Sequence, residues 1–460
     1  TIRASEWTVR SSEGTLLVAA APFDPQFQTS VAGGQANPLN SLGAGPLYYQ
    51  QKQQTYTTAF TKTFAWGLTV SPSFNLSNTA ISLAPGIAQN ASSVNLTLGL
   101  PLLRDRGGAV TAAAERAAAH DYQGSVLDQR TTVAQTVAGA AGAYWAYRAA
   151  AQTADVYAAA EARAAQNVAE TRVLVDAEER TQADLKQVLG DLATRHSARV
   201  SADQAVIAAR EQLGLTMGLA ADTVLALAPP VTDFPATVPA RDSAAVLALV
   251  DDAVRRRPDV AALVQHRAST HLETQAARNA TLPRLDLQVA MGYTGLGSGW
   301  GVGNVVATLD RHVPGLNVTL QLSTNMSILN SAAHGQVDQT SAVEHQEQIA
   351  EDDLRRRVRA DVVVAWDGLR ADAEALRAAA EAVTYANATL DAQRQRFKSG
   401  LATVFDVLLS EDALTNASLT EIASRQSYAL AVVSLRYASG TLLNDDRTPT
   451  VSIDALVTPP

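Results

Sequence analysis

From Gln336 to Lys398 the sequence contains no proline and a single glycine, Gly368. Across that run Val362, Leu369, Leu376, Val383, Leu390 and Phe397 recur at every seventh position. A sustained heptad stripe specifies a helix with a left-handed supercoiled seam. At 1.5 Å per residue such a helix is on the order of 90–100 Å long. A second run, Ala109 to Ala177, has the same character, with Gly124, Gly139 and Gly142 weakening it locally. No compact domain buries helices of that length. The chain is therefore a coiled-coil rod or a part of a larger assembly. Charged residues make up only 18% of it, below the roughly 25% of soluble domains.

The chain matches itself at a shift of 221–222 residues. Thr403-Val404-Phe405-Asp406 falls opposite Thr181-Gln182-Ala183-Asp184, and Leu435 and Gly440 fall opposite Leu213 and Gly218. A period this long is a duplicated half rather than a solenoid unit. The first repeat, 1–222, carries strands about 23–33, 55–77 and 92–103, a long helix about 109–177 and a return helix about 182–218. A proline-rich linker, 223–241, leads to the second repeat, 242–443. That repeat carries a helix about 242–280, strands about 284–294 and 315–324, a long helix about 332–398 and a return helix about 404–440, before a tail at 444–460.

The extended segments alternate apolar and polar residues without a fault. Phe64, Trp66, Leu68, Val70, Phe74 and Leu76 alternate with small polar residues, as do Val94, Leu96, Leu98 and Leu100. In the second half Leu285, Leu287, Val289 and Met291 do the same, and so do Leu316, Val318, Leu320 and Leu322. Period two gives one apolar and one polar face. A sandwich strand and a membrane-barrel strand share that pattern. Two further facts favour the barrel. The strands are too few to build a sandwich core, and they come as separated pairs, each feeding a rod. Phe64, Trp66, Leu68, Val94, Leu96, Leu98, Leu285, Leu287, Val289, Leu316, Val318 and Leu320 are then the residues that face lipid.

Four strands cannot close, and an open edge in hydrocarbon costs several kcal/mol per unpaired backbone group. The chain must therefore assemble, and three copies of four strands give twelve. Residues 23–62 supply a further hairpin, turning near Trp66-Gly67 into the next strand; it either widens the barrel or lies outside it.

Net charge is −9, which argues against a nucleic-acid partner. There is no cysteine, so thiolate metal sites and thiol nucleophiles are excluded and no lipid-bearing cysteine lies within the sequence. The seven histidines form no helical ligand pair, and no phosphate loop or nucleophile elbow occurs. No metal, no cofactor and no enzymatic activity are expected. Residue 1 opens no export signal, which leaves either a cytosolic chain or an exported chain already processed.

The stretches 250–293, LGLPLLRDRGG (98–108) and 396–442 resemble the TolC-like outer-membrane efflux proteins. The most specific is RFKSGLATVFDVLLSEDAL (396–414), which matches the tip of that family's second helical hairpin. The resemblance implies a mainly α-helical homotrimer with a transmembrane β-barrel in outer-membrane lipid, in a diderm bacterium. A periplasmic α-helical barrel continues it. The implied role is a passive exit duct of a tripartite efflux or type I secretion system. The implied partners are a periplasmic adaptor protein and an inner-membrane pump. The alternative is a soluble periplasmic adaptor or coiled-coil scaffold, although an adaptor has one helical hairpin where this chain has two.

Each half turns at a tip. Gly400 suits the left-handed residue that ends the incoming helix. Thr403 and Asp406 form the spacing of a capping box, as do Thr181 and Asp184. The first tip has Glu178 where the second has glycine. The resemblance places the entrance constriction here: Asp406 and Asp184 are candidate gate carboxylates, although each also serves as a cap. Leu409 stands at the family's second acidic position, so Leu408 or Leu409 is a candidate apolar constriction. Lys398, Gly400 and Thr403, with Glu178, Arg180 and Thr181, are the turn residues expected to dock the adaptor.

Overall fold

A computed structural model describes residues 2–37, 39–41, 46–48, 50–82, 88–236, 243–299, 302–311, 313–444, 451 and 454–460. In chain order the first repeat contains α1 (Ile2–Ala20), β1 (Gln26–Ala36), β2 (Leu39–Ser41), β3 (Pro46–Tyr48), β4 (Gln51–Thr63), β5 (Thr69–Ile81), β6 (Ala88–Pro101), α2 (Gly108–Thr111), α3 (Ala113–Asp176), α4 (Gln182–Met217) and α5 (Ala221–Leu225). The second contains α6 (Ser243–Arg256), α7 (Pro258–Ala280), β7 (Arg284–Ser298), α8 (Val302–Val306), β8 (Asn317–Asn325), α9 (Ser331–Lys398) and α10 (Val404–Ala438), and the tail carries α11 (Asp454–Val457). The end of the linker and the first residue of the second repeat, together 237–242, lie outside the described residues. The described chain forms two compact units. One comprises Val126–Ala262 and Glu351–Pro460 with the first seven residues; the other comprises Thr8–Ser125 and Leu263–Ala350.

The second unit holds a six-stranded antiparallel sheet in the order β1-β4-β5-β6-β7-β8. The additional hairpin joins the sheet at the β5 edge, so the sheet of one chain has six strands rather than four. Continuous register fixes the faces, because residues paired across strands share a side. One row reads Phe27, Phe60, Pro72, Leu96, Met291 and Val318; a second reads Thr29, Thr58, Phe74, Val94 and Tyr293; a third reads Val70, Leu98, Val289 and Leu320. The opposite face carries Thr57, Ser73, Asn95, Ala290 and Thr319 and their neighbours. Polar side chains there bond to one another: Thr61 to Ser71 at 3.0 Å, Thr63 to Thr69 at 3.2 Å and Asn317 to Thr294 at 3.1 Å. The apolar rows run from Leu100, Leu287 and Leu322 to Val31, Tyr56 and Leu76. With strand tilt this spans about 20–25 Å, close to the height of a lipid-facing band. The apolar face is uncovered at β8, where Leu320 is 71% exposed. At the far end of β7 the carbonyl of Thr308 seats against Gly295, and Val305 is buried.

Four residues expected to face lipid from a strand do not lie in one. Phe64, Trp66 and Leu68 form the turn between β4 and β5, closed by Phe64 N–H donating to the Leu68 carbonyl at 2.8 Å. Gly67 sits at φ +101° within it, a left-handed geometry that stops the extended alternation. Leu316 lies one residue before β8. The expected helix at 242–280 is two helices. Pro258 opens α7, and the residue before a proline is disfavoured in the helical region. At that break Arg257 is buried, paired with Asp259 at 2.6 Å and Asp361 at 3.5 Å.

In the first unit, the stripe on α9 is its buried seam. Val362 and Leu390 are buried, and Leu376 packs with Tyr428 and Val432 of α10. On α3 the buried positions are mostly alanines, such as Ala141, Ala149, Ala160 and Ala164, so neighbouring backbones approach closely with little side-chain volume. Trp145 interrupts that pattern. It stacks on Phe234 of the proline-rich segment, with centroids 5.4 Å apart, and packs with Leu456 and Val457 of the tail. Among the described residues no helix is long and apolar enough to cross a membrane.

Candidate functional site

Both helical hairpins of the first unit turn by the same hydrogen-bond pattern. At the α9 end Leu401 N–H donates to the Arg396 carbonyl at 2.8 Å and Gly400 N–H to Phe397 at 3.0 Å. At the α3 end Glu179 N–H donates to Leu174 at 2.8 Å and Glu178 N–H to Val175 at 3.0 Å. These are paired Schellman bonds, which place one residue in left-handed geometry. Gly400 has φ +72° and Glu178 has φ +59°. A side chain in that region is strained by about 1–2 kcal/mol. Replacing Glu178 by glycine relieves the strain against a smaller unfolded-state entropy gain, so the variant is expected to gain about 0.5–1 kcal/mol. Gly400→Ala is expected to lose about 1 kcal/mol. Cleavage rates at the two turns under limited proteolysis check both.

Each return helix then starts with a complete capping box. The Thr403 backbone N–H and hydroxyl donate to one Asp406 carboxylate oxygen at 2.8 and 2.7 Å, and Asp406 N–H donates back to the hydroxyl at 3.3 Å. Thr181 and Asp184 repeat this at 3.1, 2.9 and 3.2 Å. The backbone N–H of Thr403, then its hydroxyl, holds the Asp406 carboxyl below its ordinary value, and Thr181 does the same for Asp184. A lowered carboxyl stabilises the fold at neutral pH, and that contribution is lost as pH falls through the folded-state value.

Of the apolar candidates, Leu408 is buried with Val168, Val188 and Val404. It is core of the tip and offers no side chain to a constriction. Leu409 is 58% exposed. Phe397 joins two clusters, one with Val188 and Leu408 and the other with Leu390, Val407 and Leu414. The Arg180 guanidinium lies 4.9 Å over its ring, which ties the first turn to the second hairpin. Lys398, Glu178, Thr181 and Thr403 are exposed on the turns.

Just above the tip lies a charged layer that sequence reasoning missed. Glu411 is 3% exposed. Its carboxylate accepts from Arg394 at 2.7 Å and from Asn167 at 2.9 Å. Arg163 donates to Thr415 at 3.3 Å, and burial holds its guanidinium below the ordinary value while Glu411 opposes that shift. Arg195 pairs with Asp191 at 3.1 Å and with Asp412. The signal was present in the stripe of α10: Val404, Val407, Leu408 and Leu414 are buried, and Glu411 occupies the position between them where an apolar residue belongs.

Within this layer Asp191 is raised, by burial first and by Asp412, against the pull of Arg195. For Arg195 burial acts downward, but Asp412 and Asp191 outweigh it. The favourable pairing of Arg195 therefore lies more with Asp412, and Asp191 Oδ2 is buried without a hydrogen bond. A raised carboxyl favours folding below its unfolded value and costs stability once pH rises through the folded value. Asp191→Asn is expected to raise the melting temperature at neutral pH. The gain should close as pH falls towards the ordinary aspartate value of 3.8, which melting curves across pH will check.

Residues 249–441 match the family model described as outer membrane efflux protein. A curated relative, outer membrane protein TolC of Salmonella enteritidis, is 26% identical over 209 residues. That alignment covers 44% of this chain and spans only 41% of the relative's length. Among solved structures, the Campylobacter jejuni CmeC outer membrane channel superposes with a TM-score of 0.69 at 14% identity, covering 96% of this chain and 82% of that one. The Vibrio cholerae outer membrane protein VceC gives 0.69 at 14% identity, covering 95% and 92%. The chain is thus similar in sequence to outer membrane efflux proteins across residues 249–441, and nearly all of its length shares the fold of these outer membrane channels.

Proposed function

We propose that the chain is the exit duct of a tripartite efflux or type I secretion system: a homotrimer in the outer membrane that conducts cargo passively from periplasm to exterior. The two-faced sheet carries this reading. One face has an apolar band about 20–25 Å tall and the other is hydroxyls and amides, which is the arrangement of a wall between lipid and water. Both edges of the sheet are open, so closure requires further copies. The capped tips are the periplasmic entrance, and their exposed turns, with Arg180, Glu178 and Lys398, dock an adaptor that a pump supplies with cargo and energy. Asp406 and Asp184 act there as helix caps, and Leu409 is the residue we assign to the apolar constriction.

Purified protein added to a planar lipid bilayer is expected to insert and give discrete conductance steps, larger when Leu409 is replaced by Ser. Protein that partitions into buffer and never inserts would overturn the duct and favour a soluble scaffold.

A further inference from the structure

β1 and β8 are the edges of the sheet, and every residue of both strands is exposed. Building on the trimeric duct proposed above, we infer that β1 of one copy pairs with β8 of the next, so that all six strands of each copy enter the wall and three copies close a barrel of eighteen strands. The occupant of each open edge is thus a second copy of this chain.

Four observations carry this. Every neighbouring pair in the order β1-β4-β5-β6-β7-β8 is antiparallel, so a copy's β8 meets the next copy's β1 antiparallel as well, as closure with an even strand count requires. The β1–β4 hairpin carries both faces of the wall: Phe27, Val31, Tyr56 and Phe60 continue the apolar rows, while Gln28, Ser30, Thr57 and Thr61 continue the polar ones. A hairpin lying off the wall, in one solvent, has no need of two faces in register with the rest. The polar end of the hairpin is also level with the polar end of its neighbours, since Gln35 pairs with Lys52, Gln54 with Asn78, and Asn78 with Asn90. Finally, the ladder between β4 and β5 runs from Gln51↔Ile81 to Thr63↔Thr69. Were β5 the edge at the subunit boundary, that ladder would have to be broken and the backbone it satisfies paired elsewhere, because unpaired groups are not tolerated in hydrocarbon.

The consequence is a wider wall. Strands about 4.8 Å apart and tilted by about 40° give a radius of about 18 Å for eighteen strands, against about 12 Å for twelve.

The chain has no cysteine, so engineered pairs report without background. In the full-length protein in detergent, Thr29→Cys is combined in turn with Val318→Cys, Leu320→Cys and Leu322→Cys. Oxidation is expected to yield a covalent trimer from at least one pair. Phe74→Cys on β5 with the same three partners is expected to yield none; a covalent trimer from that set would overturn the inference, because it makes β5 the edge. Electron cryo-microscopy of the unmodified protein in lipid nanodiscs supplies the second measurement, with eighteen wall strands expected. A trimer with twelve overturns the inference and leaves the duct standing; a chain that remains monomeric in lipid overturns both.

Discussion

Glu411→Leu is expected to lower stability by about 3–5 kcal/mol, because removing one partner of a buried ion pair leaves the other uncompensated. The variant strands the donors of Arg394 and Asn167 and removes the carboxylate that opposes the burial of Arg163. In a chain of this size the melting temperature should fall by on the order of 10 °C. Glu411→Gln keeps one of the two acceptors, turns an amide N–H towards the other donor and removes the charge, and should fall in between. The layer joins α3, α9 and α10 close to the tip, so the Leu variant should also admit a large hydrophilic dye to cells expressing it. Wild-type melting and wild-type dye exclusion together would refute the role assigned to Glu411.

Leu96→Arg is expected to cost about 2–4 kcal/mol, the penalty for a cation near the middle of a lipid-facing band. Its neighbour in sequence, Asn95, points to the other face, and Asn95→Arg should assemble at close to the wild-type level. Oligomer recovered from outer membranes and its resistance to heat in detergent check the pair. If Asn95→Arg proved the more damaging, the faces would be reversed and the hydrocarbon would lie against the hydroxyls.

The helices and most of the sheet were legible because their repeats are geometric. A seven-residue stripe has one outcome in a helix, and alternation has one outcome in a strand. The strand ends were less legible. Phe64, Trp66 and Leu68 kept the alternation through a turn, and only the φ of Gly67 breaks it. The place of the β1–β4 hairpin is not legible in the sequence because Thr29 and Thr58 dilute its apolar rows, and pairing across strands, which fixes the face, is not written in one strand. The division between α6 and α7 is written in Pro258, inside a pattern that otherwise reads as one helix. At the tip, Thr403-x-x-Asp406 announced a cap, and the cap forms. Glu411 was missed because a charge in an apolar stripe has meaning only once Arg394 and Asn167 arrive from other helices.

The polar face of the sheet has a bearing on what such a conduit would let through. Along the described strands its side chains are neutral except at the end nearest the helices, where Arg284 and Asp286 neutralise each other at 2.7 Å. A lining of this kind hydrates a passage without gathering counter-ions. Current through the membrane segment should therefore show little preference for potassium over chloride, and cationic, anionic and zwitterionic drugs should meet the same low resistance there. Whatever discrimination the assembly has would be exercised before a molecule reaches the bilayer.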